Sequence, residues 1–297
     1  MSCPICNDVT TKWLVNKNGF DMARCQLCGT VFVNPMPSLE NLDAHYQNPA
    51  YFEGEENQGY RNYADMHKAL GPHFTRRLGR LKRYVNGSLL DYGCADGYFL
   101  KLAREAGWQI AGVELAKSMA ERASQELGVT IYSSVDRLGD AKFDAISLWE
   151  VIEHLPSPLS ELQILRRHIR SGGAIMLSTP NAGHWQALDE PKTCSIYRPP
   201  SHLILYTATA LNRLLQMAGF QRITIHRTMP LPPLPRWIHR VTASIEARLS
   251  NGQANPWLAY LITWRIIRLL GWGWQKLTRP NIDIFATLEA IAFCPDD

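Results

Sequence analysis

The 297-residue sequence has no run of 18 uncharged apolar residues, so no stretch of it can cross a bilayer as a helix. The opening MSCPICNDVTTKW has neither a basic n-region nor an apolar h-region, which argues against a secretory signal. Charge of one sign is also scarce. A net charge of +4 argues against nucleic acid as a partner unless the charge is concentrated. No internal repeat appears, which excludes solenoids and propellers. Hydrophobic residues at 46% and charged residues at 20% fit a globular chain with one large core or two modest ones. Seven cysteines without a signal point to a reducing compartment, so a cytoplasmic location is expected.

Four of those cysteines form a pattern. Cys3-x2-Cys6 and Cys25-x2-Cys28, followed by Gly29, have the two-knuckle spacing of a four-cysteine zinc site. So short a segment cannot bury a core of its own, and metal binding would supply its folding energy. Four thiolates leave no open coordination position, so the zinc is expected to be structural. Residues 1–36 therefore read as a zinc ribbon, a scaffold or substrate-side wall. Residues 37–85 read as a linker and helical cap, with Tyr46, Tyr51, Phe52, Tyr60 and Tyr63 as candidate pocket lids. A helix is expected from Asp65 to Tyr84, with Arg76, Arg77, Arg80, Lys82 and Arg83 on a solvated face.

The stretch from Ser88 to Leu115 carries the most information. Ser88–Tyr92 reads as a strand, Tyr98–Ala106 as a helix and Gln109–Val113 as a second strand tipped by Glu114. An acid at that tip can accept hydrogen bonds from both hydroxyls of a ribose. Asp91 helps to choose between ribose-bearing cofactors. A carboxylate directly before the glycine loop would repel a pyrophosphate, but it attracts the ammonium and sulfonium of S-adenosylmethionine (SAM). The small residues of Asp91-x-Gly93-x-Ala95-x-Gly97 fall at every second position, unlike a dinucleotide loop.

Residues 88 to about 225 resemble class I SAM-dependent methyltransferases. KFDAISLWEVIEHLPSP, LRRHIRSGGAIMLSTPN and HLILYTATALNRLLQMAGFQRITI follow in the order of that family's later strands and helices. The cysteine pattern with VFVNPMPS resembles a branch with a zinc-ribbon front end. The resemblance implies an α/β, Rossmann-like sheet of seven strands whose last strand, within Asp283–Cys294, is antiparallel. It also implies that Asp91, Gly93, Ala95 and Gly97 line the methionine end of SAM. Glu114 would meet the ribose, Leu115 and Ser134 the adenine, and Trp149 would close the pocket.

Glu150-Val-Ile-Glu153-His154 follows the fourth core strand, where α/β sites lie. With His202, two carboxylates and two imidazoles could hold a divalent ion such as Mg. The segment resembles the E-x-x-E-H of ubiquinone-type and small-RNA O-methyltransferases, which implies an ion gripping vicinal oxygens. His154 as a metal-free base and a purely structural role stand as alternatives. His168 reads as structural, and His184 and Trp185 lie in a loop placed to touch substrate.

Residues 228–281 read as an insert before the last strand, 282–297. It holds seven basic residues against one acidic residue, Glu246, and five of the nine tryptophans, Trp237, Trp257, Trp264, Trp272 and Trp274. The cationic stripe over 236–279 suggests a helix in a membrane interface, at the inner face; a lid on the core is the alternative. Gly271 and Gly273 are candidate breaks. The reading is thus a SAM-dependent methyltransferase acting on oxygen of a glycan, lipid-linked or other small-molecule acceptor. An RNA methyltransferase, a non-enzymatic SAM-binding protein at the membrane and sugar C-methylation remain open.

Overall fold

The computed structural model describes residues 2–47, 63–230, 244, 245, 248 and 257–296. Tyr51, Phe52, Tyr60, Trp237 and the arginines at 236 and 240 lie outside the described residues.

The ribbon comes first. Strands β1 (Thr11–Lys17) and β2 (Phe20–Cys25) form a hairpin whose two-residue turn is Asn18-Gly19. Both turn residues have positive φ, as this tight turn requires. β2 pairs with β3 (Val31–Val33), and β3 pairs with a short core strand, Ile204–Leu205, described below as β9. Thr207 Oγ1 also donates to the Cys28 carbonyl at 2.7 Å. The ribbon is therefore stitched to the larger domain rather than tethered to it. Helix α1 (Leu39–Gln47) follows, then α2 (Tyr63–Leu81).

The core sheet has seven strands. β4 (Ser88–Tyr92), α3 (Tyr98–Glu105), β5 (Gln109–Val113), α4 (Lys117–Leu127) and β6 (Ile131–Tyr132) make its first half. β7 (Phe143–Trp149), α5 (Pro158–Arg167) and β8 (Ile169–Pro180) follow, with Pro158 opening α5, where its missing N–H costs nothing. Then come α6 (Trp185–Asp189), β9 (Ile204–Leu205), α7 (Ala208–Met217), β10 (Gln221–Pro230), α8 (Trp257–Thr278) and β11 (Phe285–Phe293). The strand order is β10-β11-β8-β7-β4-β5-β6. The five strands from β8 to β6 run parallel, and β11 is antiparallel to both of its neighbours. Parallel strands covered on both faces read as apolar runs, and Leu89, Leu90, Ile146, Leu148, Ile175 and Leu177 are all buried.

Three expectations change. The glycine turn at Gly172-Gly173 lies within β8, where the pairing register with β7 shifts between Phe143 and Ala145. β10 extends to Pro230, so the sixth strand runs into the segment read as insert. Helix α8 runs unbroken through Gly271 and Gly273.

The basic face expected along α2 is only partly solvated: Arg76, Lys82 and Arg83 are exposed, Arg80 is half-buried and Arg77 is buried. Arg77 Nε and Arg80 Nη1 reach Glu289 of β11 at 3.1 and 3.0 Å, and Arg76 Nη2 lies 3.5 Å from it. The Glu289 side chain is 1% exposed. Burial alone would raise its carboxyl, but Arg77, Arg76 and Arg80 outweigh burial and hold it below the usual range. Arg77 also lies 4.4 Å above the Trp149 ring.

Candidate active site

The loop after β4 turns back on itself through three positive-φ residues, Gly93, Ala95 and Gly97. At Gly93 an added Cβ would sit 2.6 Å from Val151 Cγ2, and at Gly97 2.8 Å from Leu127 Cδ1. Both glycines are thus needed for packing as well as for backbone conformation. Ala95 holds the left-handed conformation without that freedom, and Glu114 receives its N–H at 2.8 Å. The other oxygen of Glu114 accepts from Ala116 N at 2.9 Å. Burial raises the Glu114 carboxyl from the ordinary range, against those backbone donors.

Beside this loop lies a cavity of about 450 Å³. Gly93, Ala95, Glu114, Leu115, Ser134 and Trp149 line it, six of the eight residues expected to hold the cofactor. Asp91 and Gly97 are not among its lining residues. Asp91 is buried, accepts from Ser147 Oγ at 2.6 Å, and is pushed up to about 8 by burial. A positive charge brought near this carboxyl would favour its ionised form.

The same cavity continues to Glu150 and His154. Glu150 has φ 55°, a strained position for a non-glycine residue, and its Oε1 accepts from Ser178 Oγ at 2.7 Å. Burial raises its carboxyl. Glu153, on the short 3₁₀ turn Ile152–His154, is fully buried, and neither of its carboxylate oxygens has a hydrogen-bond partner. Burial, and then the charge of Glu150, push it well up. One ligand atom from each of Glu153, His154 and His202 lies within 4.8 Å of the others. His202 Nδ1 donates to the Ile196 carbonyl at 2.7 Å, which leaves Nε2 as its lone-pair atom. Burial lowers both imidazoles, His202 to about 4 and His154 well below the usual range. Glu153, His154 and His202 together are a set that could hold a divalent cation. Of the expected four residues, three bring their ligand atoms together, while Glu150 accepts from Ser178 through Oε1 and is not among them.

The match to known proteins fits this arrangement. Residues 60–225 match the family model described as a methyltransferase domain. The chain belongs to that family. Its core is that of class I SAM-dependent methyltransferases. A ubiquinone biosynthesis O-methyltransferase of Haemophilus ducreyi is 30% identical over 122 residues, 35% of this chain and 52% of that protein. A malonyl-[acyl-carrier protein] O-methyltransferase of Serratia marcescens is 32% identical over 138 residues, 42% of this chain and 53% of that protein. The chain thus spans about half the length of the curated relatives it matches. Among solved structures, a SAM-dependent methyltransferase from Archaeoglobus fulgidus superposes with TM-score 0.51 at 18% identity, covering 78% of this chain and all of that one. A Haemonchus contortus phosphoethanolamine N-methyltransferase 2, in complex with phosphomonomethylethanolamine and S-adenosylhomocysteine, gives 0.55 at 16% identity, covering 90% and 63%. At such identities these two show the fold alone.

The four ribbon cysteines converge. Cys3, Cys6, Cys25 and Cys28 place their sulfurs within 4.8 Å of one another, with Cys3–Cys28 at 3.6 Å and Cys6–Cys25 at 3.5 Å. A tetrahedral zinc with bonds of about 2.3 Å needs sulfurs about 3.8 Å apart, so the set fits. Each knuckle ends in a left-handed residue, Asn7 and Gly29, whose N–H bonds back to the carbonyl of Cys3 or Cys25.

Sequence reasoning missed two participants, Ser147 and Ser178, and the contact made by a third residue it did name. Tyr46, offered only as one of several lids, lines the cavity, and its hydroxyl lies 3.0 Å from His154 Nδ1. Ser147 and Ser178 hold Asp91 and Glu150, and nothing in their local sequence marks them. His184 and Trp185, expected to touch substrate, are buried and do not line the cavity; His184 Nδ1 caps α6 by accepting from Gln186 N. His168 follows α5 and bonds the Ala141 carbonyl through Nδ1, in keeping with a structural role.

Proposed function

We propose that this protein transfers the methyl group of SAM to a hydroxyl oxygen of a small-molecule acceptor. One observation carries the reading: a single cavity joins the Gly93–Ala95 loop and Glu114 to Glu150 and His154. Donor and acceptor ends thus share one space, as in-line displacement requires. SAM, when bound, supplies a methyl carbon on a sulfonium, which leaves as a thioether. Asp91 would hold its ammonium end, Glu114 its ribose, and Leu115 and Ser134 its adenine, with Gly93, Ala95 and Gly97 letting the backbone approach. Trp149 excludes water beside the donor.

Glu153, His154 and His202 would hold a divalent ion such as Mg, which lowers the pKa of an acceptor hydroxyl. Glu150 faces the cavity with one oxygen anchored by Ser178 and is the group to receive the acceptor's proton. As the acceptor oxygen bonds to the methyl carbon, the carbon–sulfur bond breaks and its electron pair returns to sulfur. Tyr46 orients the His154 ring through Nδ1. The ribbon cysteines would carry a structural zinc with no part in the chemistry.

The acceptor is read as a glycan or a lipid-linked small molecule. Two named relatives are O-methyltransferases, and the tryptophan-rich helix α8 supports the lipid-linked form. The test incubates the purified protein with SAM carrying a tritiated methyl group and a detergent-cleared cell extract. Label is expected in the organic or small polar fraction, and lost in Glu150→Gln and His202→Ala while SAM binding persists. Label in RNA would overturn the acceptor class, and transfer unchanged in both variants would overturn the roles assigned.

A further inference from the structure

Helix α8 carries its apolar residues on the wrong side for a lid. Its two buried positions among the described side chains are Gly271 and Gln275, on one face. The opposite face presents Ile262, Ile266, Leu269, Leu270 and Leu277, all exposed, with Leu270 at 70% and Leu277 at 83%. An amphipathic helix of a globular protein turns that stripe inward; here it faces out. Arg265, Arg268 and Lys276 line one flank of the stripe by helical periodicity, and no acidic residue occurs from 257 to 282. Trp274 borders the other flank and is 62% exposed. On the cationic flank, Arg268 lies 3.7 Å over the Trp264 ring and Lys276 Nζ 4.2 Å over the Trp272 ring.

We infer that α8 docks in the headgroup region of an anionic lipid bilayer. Charge complementarity selects this occupant. An outward apolar stripe with one cationic flank matches an interfacial helix, whose apolar face enters the acyl boundary while its cations meet lipid phosphates. A second copy of the chain would bring cationic flanks together with no carboxylate on α8 to answer them. No described helix is long and apolar enough to cross a membrane, so α8 lies on the surface.

Position gives the contact a use. The C-terminal end of α8 is held by Arg279, whose Nη2 lies 3.6 Å from Asp189 of α6. The chain then enters β11, where Thr287 pairs with Pro180 at the C-terminal end of β8. The parallel strands deliver Glu150 and the glycine loop at that same edge. Docking through α8 therefore brings the active-site edge of the sheet to the bilayer. Resting on the proposed methyl transfer, this deepens the acceptor to one embedded in or tethered to lipid.

The experiment is co-sedimentation of the full chain with vesicles of phosphatidylcholine alone and of phosphatidylcholine with phosphatidylglycerol. It reads docking without turnover, and SAM binding by calorimetry is measured beside it, so failure of docking and failure of the methyltransferase reading are told apart. Sedimentation is expected with anionic vesicles only, weakening as salt rises. Leu270→Glu with Leu277→Glu should lower partitioning about tenfold or more. Each of Arg265→Gln, Arg268→Gln and Lys276→Gln should lower it roughly fivefold. All variants should bind SAM as the parent does. Partitioning that ignores lipid charge or these substitutions overturns the inference. So does a dimer in light scattering, without vesicle binding, that the Leu270→Glu, Leu277→Glu variant abolishes.

Discussion

Asp91 is the residue whose behaviour should be most visible in solution. Its carboxyl, pushed up to about 8 by burial, is neutral at pH 7 in the cofactor-free protein. A group whose folded pKa lies above its unfolded value favours the folded state at low pH. That contribution is lost as pH rises from the ordinary aspartate range through about 8. SAM brings positive charge and favours the ionised form, so binding below about pH 8 should release a proton. Calorimetric titrations in two buffers of different ionisation enthalpy should give enthalpies that differ, and SAM affinity should rise across that window. In Asp91→Asn the buffer dependence should shrink and affinity should fall. The meeting of Glu114 and the glycine loop at one cavity was legible because the signal is written in one contiguous strand–loop–helix–strand. Glu289 was not, because its arginine partners lie more than 200 residues away and a basic helix stripe reads the same whether it faces water or a buried carboxylate. Removing that carboxylate leaves Arg77 buried without its counter-charge. Glu289→Ala should therefore cost about 3–5 kcal/mol in urea unfolding.

At the scale of elements, the ribbon is the part whose existence was plain and whose placement was not. Two CxxC pairs announce a metal knuckle by spacing alone. The pairing of Val31 with Leu205 and of Phe32 with Ile204 could not be anticipated, since β9 is two residues long and follows a loop rich in proline. That pairing matters because His202 stands two residues before β9, and Leu203 N donates to the Glu153 carbonyl at 2.8 Å while its own carbonyl accepts from Val33 N. The ribbon thus braces the peptide that presents His202. Cys25→Ser or Cys28→Ser should abolish zinc content by elemental analysis. It should also depress methyl transfer, while SAM binding, which uses β4 and β5, should change little. A matching loss of both activities would mean that the ribbon supports the whole core instead.

At the scale of the molecule, the cavity is closed by parts that are distant in sequence. Leu39, Leu42, Asp43 and Tyr46 of α1 form one wall, and the loops after β4, β5, β6 and β7, with Glu161 and Ile164 of α5, form the others. Strand order explained the four loops in advance, because ligands bind at the C-terminal edge of a doubly wound sheet. The wall from α1 was invisible to that rule, since its residues follow an irregular linker whose docking is decided by tertiary contact. His45 Nε2 lies 2.9 Å from Ser201 Oγ, and the Tyr46 hydroxyl donates to the Ser201 carbonyl at 3.2 Å while it contacts His154. One short helix therefore touches the His154 ring and the peptide before His202, and lines the cavity. Occupying the pocket should stabilise this closure. Hydrogen exchange should slow across 39–47 on addition of SAM, together with 93–97 and 113–116, and remain unchanged in the ribbon strands. Tyr46→Phe removes the hydroxyl but keeps the ring. It should lower turnover severalfold through a misoriented His154 and leave SAM affinity within about twofold, which separates orientation of the imidazole from closure of the cavity.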